Sequence, residues 1–234
     1  MRKSSFVAAL LLAGIANAQT VDEVGDPDSF GRDVTYLGLG SIPPFYLQPD
    51  CIDEIAAGLE CQVLLPPPSF TEFSVLDSDS IQLPARASNS LLCFALTPSV
   101  NRRFRNNLTA TEQAVLTTRA LISIESPVLD NPNLINPDTG LPFNGRITFG
   151  FITNSENRSI APGGFDSQVT TLTRACQAAL ISKRVLIGTY GLTQSQANSF
   201  FNNRITVRLG MSGAARMVES LIHGYGIRLY GDRR

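Results

Sequence analysis

From residue 34 onward, apolar residues recur in short runs separated by turn-forming residues, not in long stripes. Residues 34–39 (Val-Thr-Tyr-Leu-Gly-Leu) are rich in β-branched and aromatic side chains and predict a first strand, ended by Pro43-Pro44. Further short runs at 62–65, 70–76, 80–83 and 91–96 are divided by Pro66-Pro67-Pro68, Asp77-Ser78-Asp79 and Pro84-Ala85-Arg86. The cleanest strand patterns are 119–125 and 146–152, and alternation in the second places Ile147, Phe149 and Phe151 on one face. The Thr-rich segment 168–176 predicts another strand, with a helix from Asp166 as the alternative. Residues 204–209 alternate as an antiparallel strand with one wet face does. Residues 214–222 and 227–230 predict a closing hairpin turning at His223-Gly224-Tyr225-Gly226, which pins the C-terminus into the sheet.

Only one region carries helical spacing. Residues 182–191 place Val185, Leu186 and Tyr190 on one face and end at Gly191, in the position of a C′ glycine. Thr193 and Gln196 then have capping-box form, followed by an apolar stripe of Ala197, Phe200 and Phe201. A helix-turn-helix reading fails because the second helix is not basic, so the pair is expected to cap one end of a β core. The predicted fold class is therefore mainly β: an antiparallel β-sandwich, jelly-roll or Greek-key like, with a small two-helix insertion near residues 182–202. Neither a Gly/Ser linker, a charge block nor an internal repeat divides residues 19–234, which are expected to form a single domain.

The leading residues change the setting of this fold. Arg2-Lys3, the apolar run 6–15 and Ala16-Asn17-Ala18 have the charged, apolar and small-x-small parts of a secretory signal peptide over residues 1–18. The apolar run is shorter than the roughly 20 residues a transmembrane helix needs, so the expectation is an exported chain without a transmembrane anchor. Export places Cys51, Cys61, Cys93 and Cys176 in an oxidising compartment, and the predicted bridges are Cys51–Cys61 and Cys93–Cys176. Residues 21–33 are acidic and punctuated by Gly and Pro, which predicts an arm without regular structure.

The chain holds 19 basic and 20 acidic residues, and loss of Arg2 and Lys3 with the leader brings the net charge to about −3. That balance argues against nucleic acid as a partner. The densest basic spot, Arg102-Arg103-Phe104-Arg105, reads as a solvated polar connection, with an anionic glycan or lipid head group as the sharper alternative.

Candidate chemistry is sparse. His223 is the only histidine, which removes multi-histidine metal sites, and no Gly-x-Ser-x-Gly surrounds any serine; Ser212 lacks the first spacer. His223 itself reads as a turn residue. Carboxylate pairs such as Asp53 with Glu54 or Asp77 with Asp79 exist, but adjacency in sequence does not make the cleft that glycoside hydrolysis needs, and the chain has no Trp. Asn107 and Asn157 head formal glycosylation acceptors. No catalytic residue, metal ligand or cofactor site is assigned. The long loop between the two cleanest strands is dense in turn formers, and Asp130, Asn133, Asn136 and Asp138 mark it as a possible recognition loop; the competing view is a plain crossing between sheets. The expected function is a non-enzymatic structural or interaction module of the cell envelope or surface, binding another envelope or surface protein or a polymer through loops or a strand edge. An envelope hydrolase using a carboxylate pair or His223, and a small-ligand carrier whose thirteen Phe residues line a hollow interior, are the alternatives.

Overall fold

The computed structural model describes residues 34–171, 174–175 and 179–232, with side chains for most of them. The leader, the acidic arm and Cys176 lie outside the described residues, as does the Cys93 side chain.

Two antiparallel sheets face each other. The first has the order β2 (Glu60–Val63), β1 (Val34–Gln48), β11 (Val218–Asp232), β4 (Ser90–Arg105) and β7 (Phe165–Thr171), with β8 (Arg174–Ala175) and β9 (Ala179–Ser182) continuing the β7 edge along β4. The second has the order β3 (Thr71–Leu83), β10 (Ile205–Arg216), β5 (Glu112–Glu125) and β6 (Arg146–Ile160). Setting aside the short β2, β8 and β9, the remaining strands run 1-8-3-6 in one sheet and 2-7-4-5 in the other, which is the jelly-roll order. The small β2 runs parallel to β1 and closes one edge.

The strands are longer than the sequence runs because bulges absorb the residues that look like breaks. β1 passes through Pro43-Pro44 with a register shift between Ile42 and Phe45, so the two prolines sit where the ladder to β11 is already interrupted. β3 passes through Asp77-Ser78-Asp79 in the same way: Asp77 has φ 58°, and the register against β10 slips between Leu209 and Met211. Residues 165–171 form a strand, not a helix. In β6, Ile147, Phe149 and Phe151 face the core, as the alternation predicts.

The closing hairpin is not where the sequence put it. β10 ends at Arg216, Met217 turns with φ 56°, and β11 runs on in the opposite sheet, so the two are not paired with one another. His223 to Gly226 lie mid-strand, between β1 and β4. Gly224 is a packing device: the bulge of β1 folds over it, and a Cβ there would sit 3.1 Å from the Ile42 carbonyl oxygen. The C-terminal strand β11 is the central strand of its sheet, paired with β1 on one side and β4 on the other, and is pinned there.

Three contacts tie the sheets together. Phe45 of β1 stacks on Phe73 of β3 at 5.2 Å, and Phe73 reaches it by crossing Gly213, whose missing side chain leaves the ring its room. The Tyr225 hydroxyl, from β11, meets the carbonyl oxygens of Leu121 and Gly210 in the other sheet, each at 2.8 Å, and can donate its proton to one at a time. Arg102 of β4 is almost fully buried and pairs with Glu156 of β6, while also donating to the Asp166 carbonyl at 3.1 Å and to Gln168 at 2.8 Å. Its guanidinium lies 4.5 Å from the Phe104 ring centre. The basic run 102–105 is thus a strand and not a solvated connection; Arg103 and Arg105 both pair with Glu219.

One end of the sandwich is capped by α2 (Lys183–Gly188) and α3 (Gln194–Asn202). Ser182 caps α2, which is shorter than its sequence signal; Gly191, at φ 70°, lies beyond it and lets Leu192 N donate to the Leu186 carbonyl. Thr193 and Gln196 make the reciprocal capping box, and Ala197, Phe200 and Phe201 are fully buried. The remaining helix, α1 (Ile52–Ala56), follows Cys51, which is bridged to Cys61 at the start of β2.

The Tyr225 contact gives a direct test. Tyr225→Phe removes the hydroxyl from two buried carbonyls and is expected to cost about 1–3 kcal/mol, read as a lower urea midpoint at unchanged m-value. A change under about 0.3 kcal/mol would show that the hydroxyl does not tie the sheets.

Candidate functional site

β5 and β6 are neighbours in one sheet, so the loop 130–145 is the long tip of a hairpin and not a crossing between sheets. It begins in a 3-10 turn at Pro127–Asp130 and is anchored by three buried side chains, Leu129, Leu134 and Phe143. The Phe143 ring meets Tyr190, just past α2, edge to face at 5.9 Å. Burial, with the Asp138 charge added, pushes the Tyr190 phenol up. Backbone bonds close the loop on itself: Asn136 N donates to the Leu141 carbonyl at 2.8 Å and Gly145 N to the Leu129 carbonyl at 3.0 Å.

The four loop residues singled out from sequence divide into two groups. Asn136 is a turn builder, its Oδ1 accepting from Asp138 N at 2.9 Å, and Asn133 takes the same kind of turn from Asn131. Asn133 and Asp138 are exposed on the loop tip. Asp130 alone reaches a recess. With Glu125, Ser126, Pro127, Asn144, Gly145, Arg146, Arg204 and Thr206, it lines an open cleft of about 360 Å³ where the loop rejoins the sheet.

Charge in this cleft is unevenly committed. Glu125 is held by Arg146 at 2.7 Å and by Arg208 at 2.8 Å, and Arg146 also pairs with Asp77. The Glu125 hydrogen bond raises the Arg208 pKa further above its ordinary value. By contrast, Arg204 and Asp130 are exposed and have no hydrogen-bond or ion-pair partner among the described residues. The Ser126 hydroxyl is buried at the cleft wall with no protein partner. Asp130 is kept close to the wall by Gly145, where a Cβ would come within 2.7 Å of the carboxylate. The cleft therefore offers a free guanidinium, a free carboxylate and hydroxyls. Such groups bind polar side chains or a polar chain by hydrogen bonds. Sequence reasoning found Asp130 but missed Arg204, Ser126 and Thr206, because their meeting depends on the sheet register and on no local motif.

The alternative chemistries are placed elsewhere. His223 is fully buried in β11, and its Nδ1 lies 2.9 Å from the Ser99 carbonyl oxygen. A carbonyl only accepts, so Nδ1 carries the proton and Nε2 is the unprotonated nitrogen, with no partner. Among the described residues no hydroxyl or carboxylate bonds to it. Asp53 and Glu54 sit on α1, Asp77 is taken by Arg146, and Asp79 accepts from Ser41 N at 2.8 Å and Ser80 N at 2.7 Å. Ser212 lies on the outer face of β10 in an open groove of about 540 Å³, with Arg119 and Glu72. Among the described residues, no group of three or more His, Cys, Asp or Glu is placed to hold a metal ion.

Burial lowers the His223 pKa, more than the Ser99 carbonyl restores it. The folded state then holds a neutral imidazole while the unfolded chain protonates near the ordinary value of about 6.5. Stability from this residue is complete above about pH 6.5 and is lost as the pH falls through that value toward the folded pKa. The expected result is a denaturation free energy that declines as the pH falls below about 6.5 in the native chain, with a flatter decline in His223→Leu. Equal slopes in the two proteins would contradict the assignment.

No known protein family matches the chain, and no curated protein matches it either. Among solved structures, it is similar to the VP2 subviral particle of infectious bursal disease virus at 9% identity and a TM-score of 0.20, covering 73% of this chain and 37% of that one. It is similar also to the T=1 particles derived from that virus at 10% identity and a TM-score of 0.16, covering 72% and 43%. The chain thus spans less than half the length of those proteins, and likenesses this weak carry no argument about its role.

Proposed function

We propose that this chain is an exported, non-enzymatic interaction module of the cell envelope or surface, which binds another protein or a polymer through the cleft at the base of loop 130–145. The observation that carries the reading is the contrast in commitment: the neighbouring Glu125, Arg146 and Arg208 are locked in ion pairs, whereas Arg204 and Asp130 stand free in a recess on a core-anchored loop. A rigid scaffold presenting uncommitted polar groups lowers the ordering cost of binding. Residues 1–18 serve in this reading as the signal peptide. The Cys51–Cys61 disulfide agrees with export.

The hydrolase reading is weaker because His223 and the Asp77 and Asp79 pair are spent on structure, and Asp53 and Glu54 stand on the five-residue helix α1, which buries none of its residues. The carrier reading is weaker because Phe45, Phe73, Phe104, Phe200 and Phe201 fill the interior as buried core.

The test is a photo-crosslinking side chain at Asn144 in the mature protein, offered to native envelope and surface fractions. A discrete crosslinked species, lost in Arg204→Glu, is expected. A crosslink indifferent to Arg204→Glu, or turnover of a peptidoglycan, glycan or ester panel that a single substitution abolishes, would overturn the proposal.

A further inference from the structure

The segment bridged by Cys51 and Cys61 carries a surface that its own fold leaves uncovered. α1 buries none of its residues: Ile52 is 71% exposed and Ile55 62% exposed, one turn apart on the same side. Leu59 follows at 38%, then Val63 of the edge strand β2 and Leu65 just beyond it, each at 53%. A five-residue helix is too short to persist alone in water and ordinarily survives by packing an apolar face on a core. Here the disulfide does that work, holding α1 against β2 with Cys51 buried and the apolar side chains turned out. Exposed apolar clusters of this kind, rimmed by polar groups, mark contact surfaces.

The acidic residues identify the occupant. Asp50, Asp53, Glu54 and Glu60 are interspersed with the apolar residues along this segment, none of them buried, and the sequence has no Lys or Arg between Val34 and Ala85. A second copy docked about a two-fold axis would set this patch against itself, acid against acid. An anionic lipid surface is repelled for the same reason. We propose that the disulfide-bridged segment 51–65 is a docking surface for a basic amphipathic segment of another protein, whose apolar face covers Ile52, Ile55, Leu59 and Val63 while its cations meet Asp53, Glu54 and Glu60. The surface shares no residue with the cleft of loop 130–145, so its test and the crosslinking test fail or succeed separately.

The probe is an 18-residue peptide of Leu and Lys patterned as an amphipathic helix, with a scrambled peptide of the same composition and a Leu/Glu peptide as comparators. Binding to the mature protein is read by fluorescence anisotropy at physiological salt. The patterned Leu/Lys peptide is expected to bind, the Leu/Glu peptide not to bind, and the scrambled one to bind at least tenfold more weakly. Both Ile52→Ser/Ile55→Ser and Asp53→Asn/Glu54→Gln/Glu60→Gln are expected to weaken the patterned peptide at least tenfold. Unchanged melting temperatures would show that both variants are folded, as expected when none of the substituted side chains is buried. Three results overturn the proposal: no binding by the native protein, equal binding by either folded variant, or a native dimer in sedimentation that Ile52→Ser/Ile55→Ser dissolves.

Discussion

The structure depends on two strands that are central at once. β10 and β11 are consecutive, joined through Met217, yet each is hydrogen-bonded on both sides within a different sheet. Each must therefore bury one face for a dozen residues or more and keep two ladders in register. A slip of one residue would turn Val207, Leu209 and Met211, or Leu221, Tyr225 and Ile227, out of the core. Everything else is hung on this pair: β1 and β4 flank β11, and β3 and β5 flank β10. The Tyr225 hydroxyl joins the two, since its partner Gly210 lies in β10 at the bulge where the ladder to β3 shifts.

Charge is handled by the same economy of position. Arg102 enters the space between the sheets, where burial alone would raise the Glu156 carboxyl and lower the guanidinium. Their mutual hydrogen bond and charge, with help from Asn154 and Asp166, more than offset this, so Glu156 is held below its ordinary value and Arg102 above it. A buried pair of this kind is weak grounds for net stability, and its removal on one side leaves an uncompensated ion. Arginine suits the place, because its fork bonds Glu156, Asp166 and Gln168 together. With these and the Glu125 and Glu219 clusters neutralised locally, the charged groups without a partner among the described residues include Arg204 and Asp130 in the cleft, Arg119 and Glu72 in the groove on β10, and the acids of α1.

Much of the fold was legible from sequence because it rests on local rules. The capping box at Thr193 and Gln196, the face of Ile147, Phe149 and Phe151, and the Cys51–Cys61 bridge each follow from spacing within a few residues. The failures are places where tertiary packing overrides a local signal. Pro43-Pro44 reads as a terminator but falls on a bulge; Gly224 and Gly226 read as a turn, although a neighbouring strand folds over the first of them. Arg102 reads as surface because nothing local announces Glu156, 54 residues away. The site followed the same rule. Asp130 stood out in a loop rich in turn formers, whereas Arg204 and Thr206 come from a strand start about 75 residues later and meet it only through the β10–β5 register.

Loop 130–145 is preformed, a long hairpin tip held to the core by Leu134 and Phe143, so that the cleft at its base is part of the folded chain itself. Amide hydrogen exchange on the native protein measures this directly. The account predicts that the amides of Leu134, Phe143 and Gly145, each bonded to a loop or turn carbonyl, exchange at least about a hundredfold more slowly than unstructured peptide. Exchange of those three amides at the free-peptide rate, alongside protected β10 and β11, would show a stable sandwich with an unformed loop and would contradict it.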